Sequence, residues 1–197
     1  MLNFNSYSQN INTKKWNSDN FDFVFLKLDF ISHITINESI SNSIYINYKQ
    51  EGEFKENILL KVTHDNRELC IQEISSPMLK SYNDKLGVHK TVANTIDLLV
   101  PIDFKTIIKV NSCNINIKAP FSDINIEIEE GDINLNQKKI KGEIKSISAN
   151  IFCVNPDIEL LVSSKNGFVN GLYYSSIKPN LKVETIRGDI TSECFIN

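Results

Sequence analysis

The sequence predicts an all-β protein, a single-stranded, right-handed parallel β-solenoid (β-helix) with irregular N-terminal coils. Apolar and polar residues alternate along most of the chain, without an amphipathic run of helical period. In the C-terminal half a β-branched residue returns every 18 residues, and once after 21, with a small residue two positions before it. This pattern is typical of a tight corner that leads into a strand, repeated in stacked coils. The five triplets are Cys113-Asn114-Ile115, Gly131-Asp132-Ile133, Ala149-Asn150-Ile151, Gly167-Phe168-Val169 and Gly188-Asp189-Ile190.

A second series of apolar residues recurs at the same intervals as these β-branched residues. It consists of Ile126, Ile144, Val162 and Val183, at intervals of 18, 18 and 21 residues. Because one strand pair cannot bury its apolar face alone, the coils must share a core, and we expect them to stack in sequence order. We therefore interpret residues 1–197 as one domain, with irregular coils and a long loop over 1–94 and regular 18-residue coils over 95–197.

The N-terminal half shows strand-like alternation without a fixed period. Polar clusters separate its strands, and the stretch from Ser75 to Asn94 interrupts them as a long loop. Pro101 ends the strand before it, because proline has no N–H to donate. The strand candidates of the whole chain are Val24–Leu28, His33–Ile36, Ser43–Tyr48, Ile58–Thr63, Leu69–Ile71, Thr95–Val100, Ile124–Ile128, Gly142–Ile144, Leu160–Val162 and Leu181–Val183.

Two places where the regular repeat fails are candidate contact sites. The three extra residues in the last step predict a bulge over Leu172–Pro179, and Tyr173 and Tyr174 within it are candidate contact residues for a protein or a glycan. The sequence stops at Asn197, just after its last strand, which leaves an open C-terminal coil. Since an exposed edge invites strand pairing, we expect a homo-oligomer, or a docked partner, through this end coil.

Charge and hydropathy exclude two classes of partner. The formal net charge is −3 and the only arginines are Arg67 and Arg187, which argues against nucleic acid. The apolar stretch Phe21–Ile31 contains three charged residues and is too short to span a bilayer, so no membrane insertion is expected. Residues 1–15 lack the basic and apolar regions of a signal peptide, which by itself predicts a cytoplasmic protein.

The acidic residues of the repeat are better explained by structure than by catalysis. Glycoside hydrolysis requires two carboxyl groups about 5–10 Å apart. Three coils separate Asp132 from Asp189, so at about 4.8 Å per coil we expect roughly 14 Å between them. We interpret both as turn residues that hydrogen-bond nearby backbone. Glu127, Glu129 and Glu130 lack a calcium-binding loop, and neighbouring lysines predict a solvated, salt-bridged strand face instead.

The histidines and cysteines form no recognisable site. His33, His64 and His89 lie far apart, without a neighbouring nucleophile motif. The cysteines are equally scattered, and we interpret them as small, reduced, buried thiols. The sequence therefore assigns no catalytic, cofactor-binding or metal-binding residue, and no cofactor is expected. The four cysteines are Cys70, Cys113, Cys153 and Cys194.

The segment Asn94–Phe104, in which Val100-Pro101 ends a strand, and the corners that follow it resemble the bacterial putative-adhesin family. That family is largely of unknown function, is built as a β-solenoid and is common in Bacteroidetes-type bacteria. The resemblance is close in the second half of the chain and looser in the first. It implies a bacterial origin and a role at the cell envelope or surface, which leaves the compartment open. The corners that carry it are those at Cys113, Gly131, Ala149 and Gly188.

These observations favour a non-enzymatic structural or binding module of the adhesin type, with an unknown ligand. Two alternatives stay open: a carbohydrate-active enzyme of the β-helix type, and an intracellular scaffold that docks a partner through the open C-terminal coil. The long outer faces distinguish the first two. A groove with clustered acids would favour the enzyme, whereas flat faces of mixed charge would favour the module.

Overall fold

The computed structural model describes residues 10–51, 58–75, 93–136, 140–154, 160–171 and 180–192. Apart from one 3₁₀ turn, Ser18–Asn20, the regular elements in these ranges are β-strands. The strands are β1 (Asn10–Asn17), β2 (Phe23–Leu28), β3 (Ile31–Glu38), β4 (Ser43–Glu51), β5 (Ile58–Asp65), β6 (Glu68–Ser75), β7 (Ala93–Val100), β8 (Lys105–Ser112), β9 (Asn114–Ile117), β10 (Phe121–Glu130), β11 (Asp132–Leu135), β12 (Ile140–Ser146), β13 (Asn150–Cys153), β14 (Leu160–Ser164), β15 (Val169–Asn170), β16 (Leu181–Thr185) and β17 (Ile190–Ser192).

The described strands form two sheets that share one core. Sheet A has the order β1-β4-β7-β3-β9-β11-β13-β17-β15, and sheet B has the order β14-β16-β12-β10-β8-β2-β6-β5. The inward-facing residues of both sheets form a single hydrophobic cluster, so the sheets pack against each other. The chain crosses from sheet B to sheet A at short corners. We call a strand pair joined by such a corner, for example β10 and β11, a level.

Apolar columns run through the core across the levels. Ile34, Ile115, Ile133, Ile151 and Ile190 occupy paired positions on successive strands of sheet A. Each is at most 1 % exposed. Burying one isoleucine side chain contributes about 1.5–3 kcal/mol, so these columns hold the levels together.

The predicted single-stranded parallel β-solenoid is wrong. Both sheets are mixed, because β1 and β7 pair antiparallel with β4, and β5 pairs antiparallel with β6, and the sheets do not close into a solenoid. The 18-residue repeat does set a parallel register, in which Ile133 pairs with both Ile115 and Ile151. Each repeat specifies one level, which consists of a strand of sheet B, a corner and a strand of sheet A. It says nothing about the order and direction of the strands outside it.

The last levels do not follow sequence order. Val183 pairs directly with Ile144, and Val162 pairs with the other side of Val183. In sheet A, β17 likewise lies between β13 and β15. The periodicity could not reveal this insertion, because Val162 and Val183 fit the same inward column equally well. The edges at this end belong to β14 and β15, and a homo-oligomeric contact at this end stays a prediction.

The N-terminal part, predicted as irregular coils, consists of regular strands. β2 and β3 form a level in the middle of the stack, between β6 and β7 on one side and β8 and β9 on the other. β5 and β6 form a hairpin whose loop residues Asn66 and Arg67 have φ angles of 47° and 64°. A two-residue hairpin loop of this kind requires positive φ at both positions. Arg67 Nε donates to Asp22 Oδ1 at 2.8 Å and ties the hairpin to the start of β2.

Sequence reasoning missed β1 and β8. β1 is a polar edge strand that forms by pairing along its whole length with β4, not by alternation of its own residues. β8 has the polar residue Thr106 at an inward position where it is 0 % exposed, which shortens the apparent apolar alternation. The predicted loop Ser75–Asn94 has its ends in β6 and β7, and its residues 76–92 lie outside the described residues.

Candidate functional site

The corners of the repeat place small residues where the backbone of the next level approaches closely. A Cβ atom on Gly131, which has a φ of 128°, would lie 2.0 Å from the carbonyl oxygen of Cys113. A Cβ atom on Gly188 would lie 1.8 Å from the carbonyl oxygen of Ala149. These contacts leave no room for a side chain at either position, which explains the glycine at these two corners.

The Asn and Asp residues after the corners form a hydrogen-bonded ladder along the stack. Asn114 Oδ1 accepts from the backbone N–H of Asp132 at 3.1 Å, and Asn150 Oδ1 accepts from that of Asp189 at 3.2 Å. Asp132 Oδ1 accepts from Asn150 Nδ2 at 3.1 Å, and Asp189 Oδ1 accepts from the backbone N–H of Phe168 at 2.8 Å. We call Asn114, Asp132, Asn150 and Asp189 the corner ladder. Three of its side chains accept from backbone N–H groups, as predicted for turn residues, and Asp132 accepts from the Asn150 side chain.

The expected separation of Asp132 and Asp189 was wrong. Asp189 accepts from nearby backbone as predicted, whereas Asp132 accepts from the Asn150 side chain. Only Asn150 lies between them in the sheet order, so they are two strands apart, about 10 Å at the usual strand spacing. Both carboxyl groups accept hydrogen bonds within the corner ladder. One oxygen of each carboxyl group is thus engaged within the corner ladder, which favours the structural interpretation of both residues.

The outer face of sheet B carries paired charges. Lys105 Nζ lies 2.8 Å from Asp123, and Lys109 Nζ lies 2.8 Å from Glu127. Glu143 is bound by two lysines, which hold the pKa of its carboxyl below the usual value. The pattern is the salt-bridged strand face that the sequence predicted. The two lysines are Lys145 at 2.7 Å and Lys182 at 3.2 Å.

A groove of about 430 Å³ crosses the edge of this face beside the corners. Its charged lining is balanced, with three lysines and three acids. A groove of this composition is not the acidic cleft that the enzyme alternative requires. The charged residues that line it are Lys27, Lys109, Lys145, Asp29, Glu127 and Glu129.

The outer face of sheet A carries one ion pair, between Lys49 and Asp97, and beside it a row of uncharged hydrogen-bonding groups. Asn116 Nδ2 donates to His33 Nε2 at 3.1 Å, so the His33 ring lies on the outer face. Asn134 Nδ2 donates to Asn116 Oδ1 at 2.9 Å. On the next strand the row position paired with Asn134 is Phe152, whose side chain is 38 % exposed. Thr191 follows on the strand after that.

A small exposed apolar surface therefore interrupts this polar row. Val154, two residues after Phe152 on the same face, is 37 % exposed, and its backbone N–H donates to the Leu135 carbonyl, which places it beside Asn136. We call Asn134, Asn136, Phe152, Val154 and Thr191 the Phe152 patch. Sequence reasoning missed it, although one signal was present: Phe152 stands 18 residues after Asn134, where the repeat has asparagine.

A polar cluster lies inside the core at the corner between β2 and β3. Glu73 is 7 % exposed, and its Oε2 accepts from the backbone N–H of Phe30 at 2.7 Å, while Oε1 has no hydrogen-bond partner in the described structure. Asn94 is 0 % exposed and its Oδ1 also lacks a partner there. Burial raises the pKa of Glu73, and the nearby charge of Asp29 adds to this, against the hydrogen bonds of the Phe30 and Asp29 backbone.

The same cluster contains a tyrosine and borders a cysteine. Tyr48 is 2 % exposed, and its hydroxyl oxygen accepts from Gln50 Nε2 at 3.1 Å. Burial, with the nearby Glu73 charge, raises the pKa of Tyr48 well above its ordinary value and that of Cys113 to about 12. A thiol held neutral in this way is a poor nucleophile, and Cys113 is a core residue.

The other predicted residues divide into those that the structure places and those outside the described ranges. His64 is exposed near the end of β5. Cys113 and Cys153 are buried thiols as predicted, whereas Cys70 is only half-buried. Tyr173, Tyr174, His89 and Cys194 lie outside the described residues.

Within the described ranges, His, Cys, Asp and Glu side chains do not gather in groups of three or more that could hold a metal ion. The same part of the chain contains no helix of sufficient length and apolarity to cross a membrane.

Comparison with known proteins supports the fold. No family model and no curated protein matches this sequence. A putative cell adhesion protein from Clostridium sporogenes has a similar structure, with a TM-score of 0.60 and 17 % identity over 94 % of this chain and 99 % of that one. A putative adhesin from Bacteroides fragilis is more distant, with a TM-score of 0.41 and 15 % identity over 94 % of this chain and 98 % of that one. The resemblance to putative adhesins seen in the sequence is thus confirmed at the level of the fold.

Proposed function

We propose that this protein is a non-enzymatic binding module of the adhesin type that acts at the bacterial cell envelope or surface. The observation that carries the proposal is the character of the outer faces. The long face of sheet B carries lysines paired with carboxylates over β8, β10, β12 and β16. That of sheet A carries a row of uncharged amides together with the Lys49–Asp97 ion pair. Both faces offer a broad, regular surface for contact. The fold shared with a protein described as a putative cell adhesion protein supports the same conclusion.

The enzyme alternative has less support because its acids are engaged elsewhere. Asp132 and Asp189 accept hydrogen bonds within the corner ladder. Glu73, whose pKa is raised by burial, faces the core, and one of its oxygens accepts from the backbone. A raised carboxyl pKa often marks a catalytic acid, but such a group must also reach a substrate.

The scaffold alternative required the C-terminal strand to be open for docking. β17 is the last described strand, and it pairs with β13 on one side and β15 on the other. A partner that adds a strand at this end would therefore meet β14 or β15. We keep the scaffold as the second candidate for this reason, with a changed docking edge.

Cell fractionation combined with binding to isolated envelopes tests the proposal. We expect the native protein in the envelope fraction, and we expect the purified chain to bind isolated envelopes saturably without shortening their oligosaccharides over time. Recovery of the native protein only from the cytoplasm would remove the adhesin proposal and favour the scaffold. Time-dependent release of sugar fragments would favour the enzyme.

A further inference from the structure

We propose that the Phe152 patch on sheet A is a carbohydrate-binding site. This inference rests on the proposed function, because it names the ligand class and the surface of a binding module. Phe152 would stack against the C–H face of a sugar ring, and the surrounding amide and hydroxyl groups would hydrogen-bond the hydroxyl groups of the sugar.

The polar members of the patch have hydrogen-bonding capacity to spare. Asn134 uses its Nδ2 to reach Asn116, and its Oδ1 accepts no hydrogen bond from the described residues. Asn136 and Thr191 have no side-chain hydrogen bond within the same part of the structure. An amide and a hydroxyl therefore flank Phe152 on the paired strands, and a second amide lies beside Val154, which provides both the donors and the acceptors that sugar hydroxyl groups require.

The patch is held rigidly in place. Phe152 lies on β13, which is paired on both sides, with β11 and with β17. Its neighbours Ile151 and Cys153 face the core and are 1 % exposed. The corner ladder fixes the start of the same strand through Asn150. A surface that is already ordered loses little conformational entropy on binding, which favours weak ligands such as sugars.

The composition of the patch favours a carbohydrate over a protein or nucleic acid. Its exposed apolar part consists of two side chains, Phe152 and Val154, whereas a stable protein interface covers about 800 Å² on each partner. Its five members carry no charge, so it offers nothing to a phosphate backbone. An isolated aromatic ring among uncharged donors and acceptors matches the mixed apolar and hydroxylated surface of a sugar.

Substitution of Phe152 tests the site, and substitution of a second exposed phenylalanine, Phe168, provides the control. Phe168 is 80 % exposed, compared with 38 % for Phe152, and it directly precedes the edge strand β15, outside the patch, so Phe168→Ala removes a more accessible ring elsewhere. On a glycan array, and by titration with the best-bound oligosaccharide, we expect Phe152→Ala to weaken binding at least tenfold. Phe168→Ala should stay within twofold of wild type, Phe152→Tyr should retain binding, and Asn134→Ala should weaken it about threefold to tenfold.

The outcomes separate this site from the general function. If wild type binds a glycan and Phe152→Ala binds it equally well while its circular dichroism is unchanged, the site is wrong and the binding module stands. If the protein is recovered in the envelope fraction but wild type binds no glycan, the carbohydrate inference is again overturned and the proposed function is retained. Loss of binding in both Phe152→Ala and Phe168→Ala would also contradict a site confined to the patch.

Discussion

Glu73 lies near the C-terminal end of β6, and its side chain is buried among apolar core residues. Leu69 and Ile71, at the two preceding inward positions, are 0 % exposed, so strand alternation directs Glu73 to the same side. At this position the carboxyl group provides a hydrogen-bond acceptor for the corner between β2 and β3, because Oε2 accepts from the backbone N–H of Phe30 at 2.7 Å. The sequence could predict the direction of this side chain by extending the alternation. It could not predict the acceptor role, because Phe30 is 43 residues away.

Glu73→Gln is expected to make the protein more stable at neutral pH. Since the folded-state pKa of Glu73 is raised, its contribution to stability is fully present below the unfolded-state pKa of about 4.3 and is lost as pH rises through the folded-state pKa. Glutamine can still accept from the Phe30 N–H, and it carries no charge to desolvate. We expect a gain of about 1–3 kcal/mol in the free energy of unfolding at pH 7, measured by urea denaturation.

The pH series and a control on the same strand make this prediction specific. The difference between Glu73→Gln and wild type should shrink as pH falls towards 4, because protonated Glu73 is also neutral. Glu68→Gln, at the half-buried start of β6, should change stability by less than about 0.5 kcal/mol. A wild type that is more stable than Glu73→Gln at pH 7 would show that the ionised carboxylate is required.

At the scale of elements, the corner is the part of the fold that the sequence predicted best. The small residue and the following Asn or Asp were read as a turn, and both are explained by contacts with the next level. The exception, Phe168, is explained by position. Phe168 follows Asp189 in the spatial order, and its backbone N–H donates to the Asp189 carboxylate. The strand that Phe168 precedes, β15, is an edge strand of sheet A. No described strand beyond it needs an acceptor, so an Asx residue is not required there.

Asn150→Ala is expected to destabilise the protein by about 1–3 kcal/mol. The substitution removes the Oδ1 acceptor of the Asp189 N–H and the Nδ2 donor to Asp132, and so interrupts the corner ladder at its middle. Asn136→Ala is the matched control, because Asn136 is exposed and its side chain has no hydrogen bond within the described structure. Thermal denaturation of both variants measures the difference. Equal melting temperatures for the two would show that the ladder contributes nothing to stability.

At the scale of the whole molecule, the direction of the strands and the order of the levels could not be predicted from the sequence. Alternation identified which residues face the core, since Ile126, Ile144 and Val183 are buried as predicted. Those residues fit any level equally well, so nothing local records that β16 lies between β12 and β14. The antiparallel pairing of β1 with β4 also depends on contacts between distant segments. Tertiary packing decides these features.

The interleaved order predicts that the molecule unfolds as one unit and does not unravel level by level. Towards one end of the stack β7 lies between β3 and β4, and towards the other end β16 lies between β12 and β14. Because strands that are neighbours in sequence are separated in this way, removing one level exposes the core of the levels beside it. Trp16, the only tryptophan, packs against the core on β1, at the opposite end from Leu181 on β16. Leu181 is 0 % exposed, and Leu181→Ala should cost about 2–5 kcal/mol.

Two probes at opposite ends test this expectation. In a urea titration of wild type, Trp16 fluorescence and far-ultraviolet circular dichroism should give coincident transitions. Leu181→Ala should lower the midpoint reported by Trp16 as much as the midpoint reported by circular dichroism, although the substitution lies far from the tryptophan. Leu161→Ala, at a leucine that is 40 % exposed on the edge strand β14, should shift both midpoints much less. A Trp16 midpoint that does not move in Leu181→Ala, while the dichroism midpoint falls, would show that the two ends unfold independently.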